Sequence, residues 1–246
     1  MLRVVVLLAL TSLTASTALA APLTIDDFEE GTTEGWIVGD PVNTSHPNPP
    51  ENIPTGGPAG VDDAYLQIQA TGGDGPGSRL SVQNFSQWTG DFTDVTAIGM
   101  DVNNFGPEDL TLRLLFVNFA EMEAVPPDVA WTLDPVIVPA GSGWNDVLFS
   151  LSLANLFAPF GTVADALADV DELRIFHNPN PSFGGPGVGA PAVVATLGID
   201  NIGVVANTTP IPEPASVLLM LAGLGAGARK MIRGKRGEQN QTLKSA

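Results

Sequence analysis

The sequence predicts an all-β domain, a two-sheet antiparallel sandwich, with a short apolar helix expected at each end of the chain. Three observations carry this prediction. Between residues 23 and 205, short runs of alternating or β-branched residues follow one another, separated by Gly, Pro, Asn and Asp, which favours strands over helices. The 27 glycines and 21 prolines leave little uninterrupted length for helices. No self-similarity recurs at a fixed period, which weighs against solenoids and propellers.

Taken in order, residues 1–21 open with a single cation at Arg3. An apolar run from Val4 to Leu10 follows, and then Ala18-Leu19-Ala20 with small residues at both ends. That sequence of features is a secretory signal with cleavage after Ala20 or Ala21. A sandwich domain is expected over residues 22–207, with strands at 23–28, 64–70, 79–82, 97–103, 110–117, 136–138, 146–151, 173–176 and 193–205. Residues 64–70 (AYLQIQA) alternate cleanly, Tyr65 and the two glutamines on one face and Leu66 and Ile68 on the other. This is a strand with one wet side. Single helical turns are expected at 153–157 and 163–168. The stretches 39–61 and 178–192, rich in Pro, Gly and Asn, read as long surface loops, and loops of that length either carry function or lack order.

Charge is distributed unevenly. All but two of the 27 acidic residues (Glu213 and Glu238) lie between Ala21 and Ile211, where the basic residues are Arg79, Arg113 and Arg174. So acidic a domain is a poor partner for nucleic acid or anionic lipid and a plausible one for cations. Five of the ten basic residues instead crowd between Arg229 and Arg236. They follow the uncharged run Ser216–Ala228, and snorkelling of Arg and Lys extends the usable apolar span to 215–232. Basic residues on its carboxy side place that side in the cytoplasm, the orientation an amino-terminal export signal also demands. There is no cysteine, so disulfides, thiolate metal sites and a cysteine nucleophile are excluded.

Catalytic patterns are missing. The two histidines, His46 and His177, have no metal-ligand spacing, and Ser142 and Ser182 sit outside a G-x-S-x-G elbow. The run Gly72 to Gly77 lacks the Lys-Ser or Lys-Thr of a phosphate loop and reads as a turn. Of the four tryptophans, Trp36, Trp88, Trp131 and Trp144, each is by type a packing residue first. Trp88, between Gln87 and Thr89, is the candidate for an exposed aromatic that stacks on a sugar. Asn84, Gln87 and Asn118 are candidate amide contacts.

The carboxy-terminal segment 208–236 resembles the PEP-CTERM sorting domain of Gram-negative bacteria. The residues that carry the likeness are Ile211-Pro212-Glu213-Pro214-Ala215-Ser216, the apolar run, and the basic residues Arg229, Lys230 and Arg233. A polar tail, 237–246, follows. The amino-terminal signal implies export through the Sec machinery and the apolar span 215–232 transient anchorage in the inner membrane; the resemblance implies processing near Pro212, Glu213 and Pro214 by an exosortase-type membrane protease. Delivery to the cell envelope or extracellular matrix would follow.

The domain resembles jelly rolls of the galactose-binding and carbohydrate-binding type. The likeness rests on Ile25-Asp26-Asp27-Phe28-Glu29 with Gly35-Trp36, on Gly143-Trp144-Asn145-Asp146-Val147, on the run Val170 to Ile175, and on the closing Leu197 to Ile202. It implies a structural calcium ion where the first and last strands meet, with Asp27, Glu29 and Asp200 as the matching acidic positions; calcium takes six to eight oxygen ligands. The alternative is a solvated acidic edge that keeps an edge strand from pairing with other chains. Three functions are compatible with these features. One is a non-catalytic envelope or matrix protein that binds extracellular polysaccharide. A second is a structural or adhesive biofilm protein without a small ligand, and a third a jelly-roll glycosidase or lyase.

Overall fold

The computed structural model describes residues 23–206, except 40, 43–44, 120–126 and 183–190. The expected signal (1–21), sorting segment (208–236), membrane helix (215–232) and tail (237–246) lie outside the described residues. The chain divides into two units, Met1–Asn207 and Thr208–Ala246. Among the described residues no helix is long and apolar enough to cross a membrane.

The first unit is a jelly-roll sandwich of two antiparallel sheets. Its strands are β1 (Leu23–Asp26), β2 (Trp36–Ile37), β3 (Glu51–Ile53), β4 (Tyr65–Thr71), β5 (Ser81–Asn84), β6 (Val95–Asn104), β7 (Leu110–Asn118), β8 (Asp128–Thr132), β9 (Val136–Val138), β10 (Trp144–Ser150), β11 (Leu156–Phe160), β12 (Glu172–His177) and β13 (Val194–Ala206). A six-stranded sheet runs β10-β6-β13-β4-β3, with β1 also paired to β13. A seven-stranded sheet runs β11-β8-β7-β12-β5-β2, with β9 also paired to β7. Consecutive strands repeatedly change sheets, and the first strand closes on the last, Leu23 opposite Val204.

Each of the nine predicted strands falls on an observed one. Four strands were not expected. Of these β2 and β3 have two and three residues, too few to show a period. The turn expected at 153–157 is a 3₁₀ turn only over Leu153–Asn155; from Leu156 the chain is extended and pairs with β8. The helix expected at 163–168 is present as α1 (Val163–Ala168), where the Thr162 side chain accepts a hydrogen bond from the Asp165 amide. The loop expected at 39–61 contains β3.

Alternation decides what the sandwich buries. On β4 Leu66, Ile68 and Ala70 turn inward, on β6 Ile98, Met100 and Val102, and on β13 Ala195, Leu197 and Ile199. They meet Leu112, Leu114 and Phe116 of β7 and Leu173 and Ile175 of β12. Each of these side chains larger than alanine contributes roughly 1.5–3 kcal/mol on leaving water. Leu115 and Val117 point away from that core and form a second apolar cluster with Val129, Trp131 and Phe176. Arg113, only 2 % exposed, is held by backbone carbonyls: its guanidinium donates to the oxygens of Thr132 and Leu133 and to those of Asn178 and Pro179. One of the domain's three arginines is thus an internal brace.

The centre of the six-stranded sheet is β13, between β6 and β4. Its ladder with β6 shifts between Asp200 and Gly203, a bulge in which Asn201 takes a left-handed conformation (φ 51°).

Candidate functional site

The residues singled out near the amino end separate into two environments. Asp26 is fully buried, and its Oδ2 accepts the indole N–H groups of Trp36 (2.6 Å) and Trp88 (2.7 Å) while Oδ1 accepts the Gln87 amide. Trp88 is therefore not the exposed aromatic the sequence suggested. It has no exposed surface, and its ring packs 6.3 Å from Trp36 and 6.4 Å from Phe92. Its polar neighbours Gln87 and Thr89 are exposed because they flank an inward-turning residue. Beside Asp26 lies Glu34, whose carboxyl is pushed up to about 7 by burial first, then by the negative charge of Asp26 and a hydrogen bond with it. Its Oε1 accepts the Phe28 amide at 3.2 Å. Asn84 braces the same region, donating to the Glu34 carbonyl and accepting from the Ser86 and Gln87 amides. Asn118 donates to the Asp165 carbonyl. These amides are structural.

Asp27, Glu29 and Asp200 are not gathered into one site. Asp27 is exposed, and its charge acts on Glu34. Glu29 accepts the Ala64 amide, and its charge is felt at Asp200. The oxygen-only chemistry would suit calcium. Among the described residues, however, no three Asp, Glu or His side chains stand together as a metal-binding group.

The outer face of the six-stranded sheet brings together what the sequence scattered. Trp144 of β10, Tyr65 of β4 and Phe105, just past β6, form one aromatic cluster. Tyr65 and Trp144 meet edge to face at 5.2 Å, Phe105 and Trp144 at 6.2 Å, and Tyr65 and Phe105 at 5.9 Å. Beneath the rings is Gly198. A Cβ there would lie 2.8 Å from Trp144, 2.9 Å from Phe105 and 3.2 Å from Tyr65, so the rings settle onto bare backbone. Tyr65 is buried under its neighbours, Trp144 half-buried, and Phe105 47 % exposed. The Trp144 indole N–H donates to the Gly56 carbonyl at 3.0 Å, which fixes the ring plane. Around the cluster on the same face stand Asn103, paired with Trp144 across β10 and β6, and Gln67, paired with Gly198 across β4 and β13.

One pair further along, the same face is acidic. Asp146 of β10 stands opposite Asp101 of β6, and Asp101 opposite Asp200 of β13. Neighbouring strands lie roughly 4.8 Å apart, so three carboxyl groups form a row. Like charges in such pairs are destabilising. Asp200, 1 % exposed, is pushed up to about 7 by burial and, against the Asn201 amide that lowers it, by the charges of Asp63, Asp101 and Glu29. Asp101 is raised too, by burial first, with Asp146 and Asp63 adding to it and the Asn201 side chain opposing. The bulge supplies the internal relief: the Asn201 amide nitrogen donates to Asp101 at 2.9 Å and to Asp200 at 3.2 Å. Of this row the sequence indicated Asp200. The others are found only through the register of β10, β6 and β13.

Comparison with known proteins bears on both parts of the chain. Residues 210–236 match the PEP-CTERM protein-sorting motif, which takes in Pro212, Glu213, Pro214, Arg229, Lys230 and Arg233 and supports an exported protein. No curated protein sequence matches the chain. Among solved structures, an exo-beta-agarase matches at TM-score 0.51 and 14 % identity over 75 % of this chain and 25 % of its own, which shows a shared fold. A family 11 carbohydrate-binding module from Clostridium thermocellum, in complex with a beta-1,3-1,4-mixed-linked tetrasaccharide, matches at TM-score 0.45 and 14 % identity, over 74 % of this chain and 94 % of its own. The K1 cleaved adhesin domain of Lys-gingipain from Porphyromonas gingivalis W83 matches at TM-score 0.41 and 13 % identity, over 76 % and 99 %.

Proposed function

We propose that this chain is an exported surface or matrix protein whose sandwich binds extracellular polysaccharide, without catalysis, on the outer face of the six-stranded sheet. The observation that carries the proposal is the aromatic cluster of Tyr65, Phe105 and Trp144 over Gly198. A pyranose ring presents apolar C–H groups, and a braced aromatic face beside amide side chains is the surface such a ring stacks on. Sec-dependent export, transient residence in the inner membrane and processing by an exosortase-type protease complete the proposal. They are supported by the signal-like opening residues and by the sorting motif.

The test is affinity electrophoresis and calorimetry of the full chain against a panel of polysaccharides, with Trp144→Ala and Phe105→Ala as paired variants. Retardation by at least one glycan, weakened roughly tenfold or more by Trp144→Ala, is expected. No retention across the panel would remove the polysaccharide reading and favour a structural or adhesive protein; polysaccharide turnover would favour an enzyme.

A further inference from the structure

If a glycan lies on the aromatic cluster, the acidic row next to it restricts which glycan it is. Trp144 and Asp146 stand on the same face of one strand, and so do Asn103 and Asp101 of its neighbour. Residues two apart along a strand are separated by roughly 6.6 Å, about one sugar ring. A chain stacked on Trp144 and running along β10 would lay its next residue over Asp146 and Asp101. Asp146 is exposed and Asp101 partly so, hence both are reachable.

Among the described residues, no arginine or lysine of the sandwich answers this charge. Its three arginines are engaged elsewhere: Arg79 with Asp74 at 2.7 Å, Arg174 with Glu172 at 2.6 Å on the seven-stranded sheet, and Arg113 with backbone carbonyls inside the fold. No lysine occurs between Ala21 and Ile211. The charges that act on Asp200 are all negative, and Asn201 offers neutral N–H groups alone. Such a row repels a polyuronate, and a neutral glucan can donate its hydroxyls to the carboxylates but leaves their charge uncompensated. A sugar ammonium group supplies what the row lacks, a donor with positive charge at the height of the carboxylates.

We propose that the glycan bound on this face contains amino sugars with free ammonium groups, which sit over Asp101 and Asp146 while the adjoining ring stacks on Trp144. This inference rests on the polysaccharide reading above and adds the substrate class to it.

The experiment titrates the full chain with β-1,4-linked glucosamine polymers of graded N-acetylation, with a neutral β-glucan and with a polyuronate, each in EDTA and again in calcium. Affinity should fall roughly tenfold or more from the deacetylated to the fully acetylated polymer, and the polyuronate should not bind. Asp101→Asn with Asp146→Asn should abolish the preference for free amines. Asp94→Asn with Asp169→Asn, which remove two exposed charges elsewhere, should leave it intact, and Trp144→Ala should weaken every glycan that binds. Equal affinity for acetylated and deacetylated polymers overturns this inference but leaves the polysaccharide reading standing. Binding of the deacetylated polymer that survives Trp144→Ala, or that the Asp94 and Asp169 pair reduces equally, means diffuse attraction of a polycation and overturns it too. Binding that needs calcium and ignores the amine assigns the row to a metal ion instead. Failure of every polymer to bind sinks the underlying reading together with this one.

Discussion

Replacing Asp26 by alanine should be among the most damaging single changes in the sandwich, and its isosteric replacement by asparagine should be far milder. Both indole N–H groups that reach Asp26 end on the same oxygen, Oδ2, and both tryptophans are fully buried. In Asp26→Ala those two donors lose their acceptor at a place water does not reach, at a cost of about 1–3 kcal/mol each. Loss of the Gln87 contact adds about 1 kcal/mol and loss of the negative charge beside Glu34 offsets somewhat more than that, so a net cost of about 2–5 kcal/mol is expected. That is a large fraction of the ~5–15 kcal/mol that holds a typical domain folded. In Asp26→Asn the amide oxygen can still accept both indoles, and the new NH₂ group faces Gln87, whose own amide can turn to present its oxygen. What is lost is charge assistance, about 1–2 kcal/mol.

Equilibrium urea unfolding of the full chain, followed by tryptophan fluorescence, measures both variants. With a slope of about 2–3 kcal/mol per molar urea for a domain of this size, Asp26→Ala should lower the midpoint by about 1–2 M and Asp26→Asn by less than about 1 M. Equal losses for the two variants would refute the idea that a shared acceptor oxygen holds the tryptophan pair; so would a loss below about 1 kcal/mol for alanine.

Three further outcomes follow from the same geometry. Gly198→Ala should retain the fold yet weaken glycan binding as much as Trp144→Ala does, because its new methyl group lifts the three rings that close to 2.8–3.2 Å over that position; unchanged binding in calorimetry would dissociate the cluster from the ligand. Glu34 and Asp200 both bind a proton more tightly folded than unfolded, each pushed up to about 7 from ordinary carboxylate values. Their contribution is therefore fully present below the unfolded values and is lost as pH rises toward 7, so the unfolding midpoint should be higher at pH 5 than at pH 7.5. A midpoint that rises over that interval would contradict the assignment. Replacement of Pro212, Glu213 and Pro214 by alanine should leave full-length chain in the inner membrane, visible by fractionation and immunoblotting; unaltered surface delivery would remove the sorting role.

What was legible in the sequence was whatever local pattern encodes. β4 could be read because water on one side and core on the other impose a period of two, and α1 because Thr162 caps a run of small and apolar residues. The strand β8 and its partner β11 could not. Asp128–Thr132 is short and follows two prolines, and Leu156–Phe160 contains Pro159 and begins directly after a 3₁₀ turn, so β8 takes its extended form from pairing with β7 and β11 takes its own from pairing with β8. The site was split in the same way. Gly143-Trp144-Asn145-Asp146 already showed an aromatic and an acid on alternate positions, yet nothing local said that this face was the outer one. Trp88 misled because its flanking residues are polar, whereas its burial is decided by Asp26, far away in the chain. The row of Asp146, Asp101 and Asp200 exists only because three strands distant in sequence are laid side by side in a particular register. A shift of one residue in β10 would turn Trp144 and Asp146 inward together and dissolve both the aromatic cluster and the row. Stacking surface and charge therefore share a single determinant, the pairing of β10 with β6, and a change that disturbs that pairing should abolish ring stacking and amine preference at once.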